Sequence, residues 1–123
     1  MNRRFTTARR LHGLGILIAV AGAAACAMAP SFAADPPAIA TVDISKFLFG
    51  PKEITVAPGT TVRWVNHEEV PHTVAAQDKA KGFASKALDT DDKFETTFTT
   101  EGDFNYICTV HPFMAGVVHV RKR

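Results

Sequence analysis

At 123 residues the chain has room for an export leader and one compact domain. Four of its 14 Lys and Arg residues lie within the first ten positions, so the rest of the chain sets ten basic residues against 12 acidic ones. That remainder is mildly acidic apart from Arg121, Lys122 and Arg123, and it has no basic stripe of the kind that nucleic-acid binding requires.

The N-terminus carries Arg3, Arg4, Arg9 and Arg10, then an uncharged stretch from Leu11 to Ala29, then Pro30, Ser31, Phe32 and Ala33. A basic end, an apolar middle and small residues at a cleavage site read as a signal peptide spanning residues 1–33. Cutting after Ala33 puts Ser31 and Ala33 in the two small pockets of the peptidase, whereas cutting after Ala34 would put Phe32 in one of them. A retained anchor fits less well, because the apolar run is rich in Ala and ends in Pro30. Cys26 follows three alanines but lacks the leading Leu of a lipid-attachment site. With Cys26 removed, Cys108 is the only thiol, so an exported domain of residues 34–123 can form no internal disulfide. A lone exported thiol calls for burial, an intermolecular partner, a catalytic role or a metal.

Downstream of a stiff lead-in at Pro36 and Pro37, short alternating runs predict strands. Val42 and Ile44 open one, which Phe47, Leu48 and Phe49 continue as far as Gly50 and Pro51. Ile54 and Val56 alternate with Glu53 and Thr55. Pro58 and Gly59 make a turn, after which Val62 and Trp64 face the core. A polar loop from Asn66 to Glu69 leads to Pro71 and His72, with His72 opening the next strand. Between Gln77 and Asp92 the pattern fades into a long loop with one helical turn or a short edge strand. Alternation returns with Phe94 and Phe98, breaks at a turn over Glu101, Gly102 and Asp103, and resumes with Phe104, Tyr106 and Cys108 on one face. Gly116 to Val120 is the closing strand. About eight short strands without a convincing helix predict an all-β sandwich or small barrel.

Cys108, His111 and Met114 follow one another at three-residue steps where one strand ends and the last begins. A tight loop there can aim a thiolate, an imidazole and a thioether at one point. His72, after a rigidifying proline, is the best source of a second imidazole. Two imidazoles, a thiolate and a weak thioether suit both copper(I) and copper(II), so an electron can come and go with little rearrangement. Zinc fits less well, since thioether is not among its usual ligands and it has no redox change. His67 and His119 read as surface residues.

At this point the chain resembles the cupredoxins, and within them the amicyanins. The resemblance runs from about Val42 to Val120. It rests on Val62 to Asn66 followed by Pro71 and His72, on Phe94 to Phe98, on Gly102 to Cys108, and on the short loop ending Pro112, Phe113, Met114. It implies a cupredoxin-like Greek-key β-sandwich of about eight strands, one copper ion held by His72, Cys108, His111 and Met114, and a monomeric periplasmic shuttle between a dehydrogenase and a c-type cytochrome. It also implies an exposed edge on His111, framed by Pro71, Pro112, Phe113 and Met114 as an apolar docking patch; from the residues alone, Phe113 packing inward is the alternative.

Two positions depart from the pattern. Thr73 stands where many relatives carry Asn, and offers a shorter link between the two ligand segments. Val110 stands where many carry proline, and its N–H is expected to donate to the Cys108 sulfur and favour copper(I). Glu68 and Glu69 read as solvated or as steering charges for a basic partner. A copper storage or delivery protein is the alternative function, disfavoured because such sites are exposed and rich in methionine or paired cysteines. An enzyme using Cys108 and His111 lacks a third residue in the loop to orient the histidine.

Overall fold

The computed structural model describes Gly13, residues 15–30 and residues 38–123. The chain divides into two units, 1–33 and 34–123. In the first, the described residues form no helix or strand, and no helix among the described residues is long and apolar enough to cross a membrane. The basic start and the cleavage site expected after Ala33 lie outside the described residues.

The second unit is nearly all β. Its strands are β1 (Ile39–Ser45), β2 (Leu48–Gly50), β3 (Glu53–Val56), β4 (Thr60–Asn66), β5 (Ala75–Ala76), β6 (Lys93–Phe98), β7 (Gly102–Ile107) and β8 (Ala115–Val120), with one short 3-10 turn at Lys79–Lys81. They build two four-stranded mixed sheets, ordered β2-β1-β4-β6 and β3-β8-β7-β5. β1 runs parallel to β4 and β3 parallel to β8, so the chain crosses between the sheets before either pair can close.

Period-two alternation decides which side chains fill the space between the sheets. Val42 and Ile44 of β1, Val62 and Trp64 of β4 and Phe98 of β6 meet Val56, Tyr106, Val118 and Val120 from the opposite sheet. Trp64 is the hub: its ring packs edge-on against Tyr106 at 5.3 Å and lies stacked near Phe83 at 6.1 Å. The turn before β4 is of type II, with Pro58 at its second position, Gly59 at φ 91° and the Thr60 N–H bonded to the Ala57 carbonyl at 3.2 Å.

Three element boundaries differ from those expected. Phe47 does not extend β1; Lys46 and Phe47 both adopt positive φ and fold the chain back, so that Leu48 pairs with Ser45 in a two-residue hairpin. Nothing in Lys46-Phe47 resembles the usual Asn-Gly signal for such a turn. His72 does not open a strand but makes an isolated bridge with Leu88, and the strand begins at Ala75. Gly102 and Asp103 belong to β7, because both pair with β8.

Outside the core, Asp103 collects His119 at 2.6 Å and Arg121. Those bonds, that from His119 first, hold its carboxyl below the usual carboxylate range. His119 thus lies on the outward phase of β8, as expected, but paired with Asp103. In the core, neither the Trp64 indole N–H nor the Tyr106 hydroxyl has a partner within hydrogen-bonding geometry. Burial pushes the Tyr106 hydroxyl up to about 12, against a lowering influence from the nearby Trp64 indole. An unpartnered buried hydroxyl costs about 1–3 kcal/mol. Tyr106→Phe is therefore expected to match or exceed the parent in denaturant unfolding, by up to about 1 kcal/mol once the small void is counted. A clear loss of stability would mean that the hydroxyl has found a partner.

Candidate metal centre

Two segments from distant parts of the sequence build the site. The first is the crossover from β4 to β5. Pro71 stiffens its approach, and His72 is fixed by a reciprocal backbone pair with Leu88 at 3.1 and 2.7 Å. Behind it lies Asn66, fully buried at the end of β4. Its side-chain amide donates to the carbonyls of Val70 (3.0 Å) and Leu88 (2.9 Å), while its oxygen accepts from the Glu68 N–H at 2.9 Å. One side chain thus braces both strands of chain flanking His72. Asn66→Ala would leave the Val70 carbonyl and the Glu68 N–H without their partner, at about 1–3 kcal/mol for each one that water cannot reach, while the Leu88 carbonyl would keep only the His72 N–H. Unfolding in urea is expected to show a loss of about 3 kcal/mol; a change below 0.5 kcal/mol would mean that the loop holds itself.

The second segment is the turn from β7 to β8, residues 108–114. It closes on itself, with the Cys108 N–H donating to the Met114 carbonyl at 3.0 Å and the Met114 N–H to the His111 carbonyl at 2.9 Å. Cys108 continues the inward phase of Tyr106 and is fully buried, His111 is half-buried, and Met114 is 2% exposed. Phe113, between them, is 73% exposed. Inward packing of Phe113 is therefore excluded, and Met114 takes no part in an outer patch.

These segments bring three donor atoms together. Cys108 Sγ lies 3.8 Å from His72 Nδ1 and 3.8 Å from His111 Nδ1, and all three atoms fall within 4.8 Å of one another. A metal ion bonded at about 2.0–2.1 Å to nitrogen and 2.3 Å to sulfur, in a trigonal plane, requires nitrogen-to-sulfur edges of about 3.8 Å; a tetrahedron requires about 3.6 Å. Both nitrogen-to-sulfur edges fit the plane. Met114 belongs to the same loop, is buried, and lines a cavity together with Leu48 and Phe49.

The surroundings orient the donors. His72 Nε2 meets Glu68 Oε2 at 2.6 Å, so the ring proton sits on Nε2 and the Nδ1 lone pair faces the sulfur. Glu68 is therefore a partner of the buried histidine rather than a free steering charge. A carboxylate four residues before the histidine of a Pro-His pair was the signal available in the sequence. The thiol sulfur accepts from the Thr73 N–H at 3.4 Å and contacts the Thr73 hydroxyl at 3.9 Å. Thr73 Oγ1 also accepts from the Thr109 N–H at 2.7 Å, so the link between ligand segments expected of Thr73 is formed. The bond expected from Val110 is not: the sulfur takes its hydrogen bonds from Thr73, and Val110 stands half exposed on the outside of the loop.

Residues 38–121 match the family of copper-binding proteins described as plastocyanin/azurin. The chain belongs to that family. Cupredoxins of this kind are electron-transfer copper proteins that bind one copper ion, and a His–Cys–His cluster is the matching feature here. Amicyanin from Paracoccus versutus is 41% identical over 95 residues, covering 74% of this chain and 72% of that protein. A copper(I) structure of an amicyanin variant superimposes with a TM-score of 0.63 at 34% identity, over 73% of this chain and 87% of that one. The copper-containing nitrite reductase of Thermus scotoductus gives a TM-score of 0.66 at 29% identity, but this chain spans only 25% of it. The cupredoxin domain thus also occurs inside an enzyme, whereas the amicyanin relatives are carriers rather than enzymes.

Proposed function

We propose that this cupredoxin is a periplasmic electron carrier, exported by a leader of residues 1–33, that binds copper through His72, Cys108 and His111, with Met114 as a weaker fourth ligand. It would take single electrons from a dehydrogenase or cytochrome and pass them to an acceptor such as a c-type cytochrome. The observation that carries this reading is the triangle of two Nδ1 atoms and one Sγ with 3.8 Å edges. Copper, when bound, supplies a one-electron couple whose two oxidation states both accept such a site. Burial of Met114 in the same loop supports its place in the set.

The rest is done by the chain. Glu68 holds the His72 tautomer, Thr73 steadies the sulfur, and the sandwich excludes water from three of the four side chains. His111 is half-buried with Phe113 beside it, and Val70, Pro71, Pro112 and Phe113 are exposed. A small apolar rim around a ligand edge suits brief encounters with a partner. The test is to express the chain with its leader, recover it from the periplasmic fraction and add copper(II). Intense blue absorption with a narrow copper hyperfine splitting is the expected result; a colourless protein would overturn the reading, and retention in the cytoplasm would overturn its location.

A further inference from the structure

We propose that Phe47 is a positioning residue of the metal centre: pinned on a left-handed turn by Glu68, its ring caps both histidines and holds His111 toward the thiolate. The inference rests on the ligand reading above.

Lys46 and Phe47 have φ of 54° and 56°. This is the region that glycine and asparagine enter readily and that a bulky aromatic residue resists. Such a conformation survives where its surroundings impose it. Here the imposing group is visible. The Phe47 N–H donates to both oxygens of Glu68, at 3.2 and 3.3 Å, and the same carboxylate accepts from His72 Nε2 at 2.6 Å. Glu68 is itself anchored at both backbone groups, its N–H to Asn66 Oδ1 and its carbonyl to Thr90 Oγ1, each at 2.9 Å. The hairpin turn between β1 and β2 is thus tied through one carboxylate to a residue of the metal centre.

The tie aims the Phe47 ring. Its centroid lies 5.1 Å from the His111 ring at 83° and 5.5 Å from the His72 ring at 77°, edge-on to both, and 6.4 Å from Phe113. The two imidazoles differ in how much they need it. His72 is held by Glu68 and by its bridge with Leu88. The His111 ring, among the described residues, makes no hydrogen bond beyond the contact of Nδ1 with Cys108, so its orientation depends on Phe47, Phe113 and His72. Phe47 is 38% exposed and its ring packs edge-on against the half-buried His111, so it covers part of the imidazole. A smaller residue would let water reach the imidazole and let the ring turn away.

Glycine at this position separates positioning from fold maintenance, because it relieves the backbone while removing the cap. In the copper-loaded full-length protein, Phe47→Gly is expected to unfold at the same or a higher denaturant midpoint than the parent, yet to release copper to a competing chelator at least tenfold faster. Phe47→Asn, which also tolerates left-handed backbone, is expected to behave alike, and Phe47→Leu to restore release to within about threefold of the parent. Release from Phe47→Gly at the parental rate, with an unchanged visible spectrum, would overturn the proposal. Imidazole NMR of the metal-free proteins decides it independently of copper: His111 ring signals are expected to show motional averaging in Phe47→Gly but not in the parent, and identical spectra would overturn it. A parent that stays colourless with copper would count against the ligand reading, with the NMR comparison still deciding the role of Phe47.

Discussion

Gly116→Ala is expected to destabilise the domain by about 3 kcal/mol, at the upper end of what overpacking a core costs. Gly116 sits in β8 directly opposite Tyr106 in β7, and the tyrosine ring lies across it. A Cβ at residue 116 would fall 2.3 Å from the Tyr106 hydroxyl oxygen and 2.4 Å from Cζ. The ring cannot swing aside, because Phe49 packs on it at 4.8 Å and Trp64 at 5.3 Å, both edge-on. Nor can β8 withdraw without breaking its ladder with β3 and β7. Cys108 lies two residues beyond Tyr106 on the same face, so the displacement is expected to reach the metal centre as a weakened blue band. Urea unfolding with and without a compensating Tyr106→Leu measures the effect. A Gly116→Ala protein within 0.5 kcal/mol of the parent would show that the two sheets are looser than their geometry implies.

Cys108→Ser is expected to abolish the blue absorption and lower copper(II) affinity by more than the 10- to 100-fold typical of losing an outer partner of a ligand. Serine keeps the volume and the inward direction of the side chain, but its hydroxyl does not ionise at neutral pH and offers copper(I) a hard oxygen in place of a soft sulfur. The metal-free domain is expected to change by no more than about 1 kcal/mol, since the Thr73 N–H that now bonds sulfur at 3.4 Å would find an oxygen acceptor instead. Chelator competition and urea unfolding on the same preparation separate the two effects. Retained colour would place the chromophore elsewhere and remove Cys108 from the site.

Much of this molecule can be read from local pattern. Alternation in Lys93–Phe98 and around Tyr106 identifies inward faces because a half-buried strand has no other economical pattern. Pro58-Gly59 announces its turn because only glycine enters the second central position freely. The spacing of Cys108, His111 and Met114 announces a loop that turns three sulfur and nitrogen donors inward. What stays hidden is what tertiary contact imposes. Lys46-Phe47 carries no turn signature, since the carboxylate that stabilises its backbone comes from 21 residues away. Asn66 and Glu68 look like members of a solvated loop, and only the fold shows one buried under the loop and the other bonded to His72. Val110 shows the opposite error: a donor two residues from the sulfur does not bond it when the chain turns outward there.

The clasped loop of residues 108–114 places Phe113 in water and Met114 in the interior, one peptide unit apart. Substitutions at these two neighbouring positions therefore act on different parts of the molecule. A change at residue 113 can redraw which surface the protein meets while leaving its interior intact, and a change at residue 114 can retune the interior without altering what a visitor touches. The face offered to solvent and the packing of the interior can be varied separately by mutation on one short hairpin.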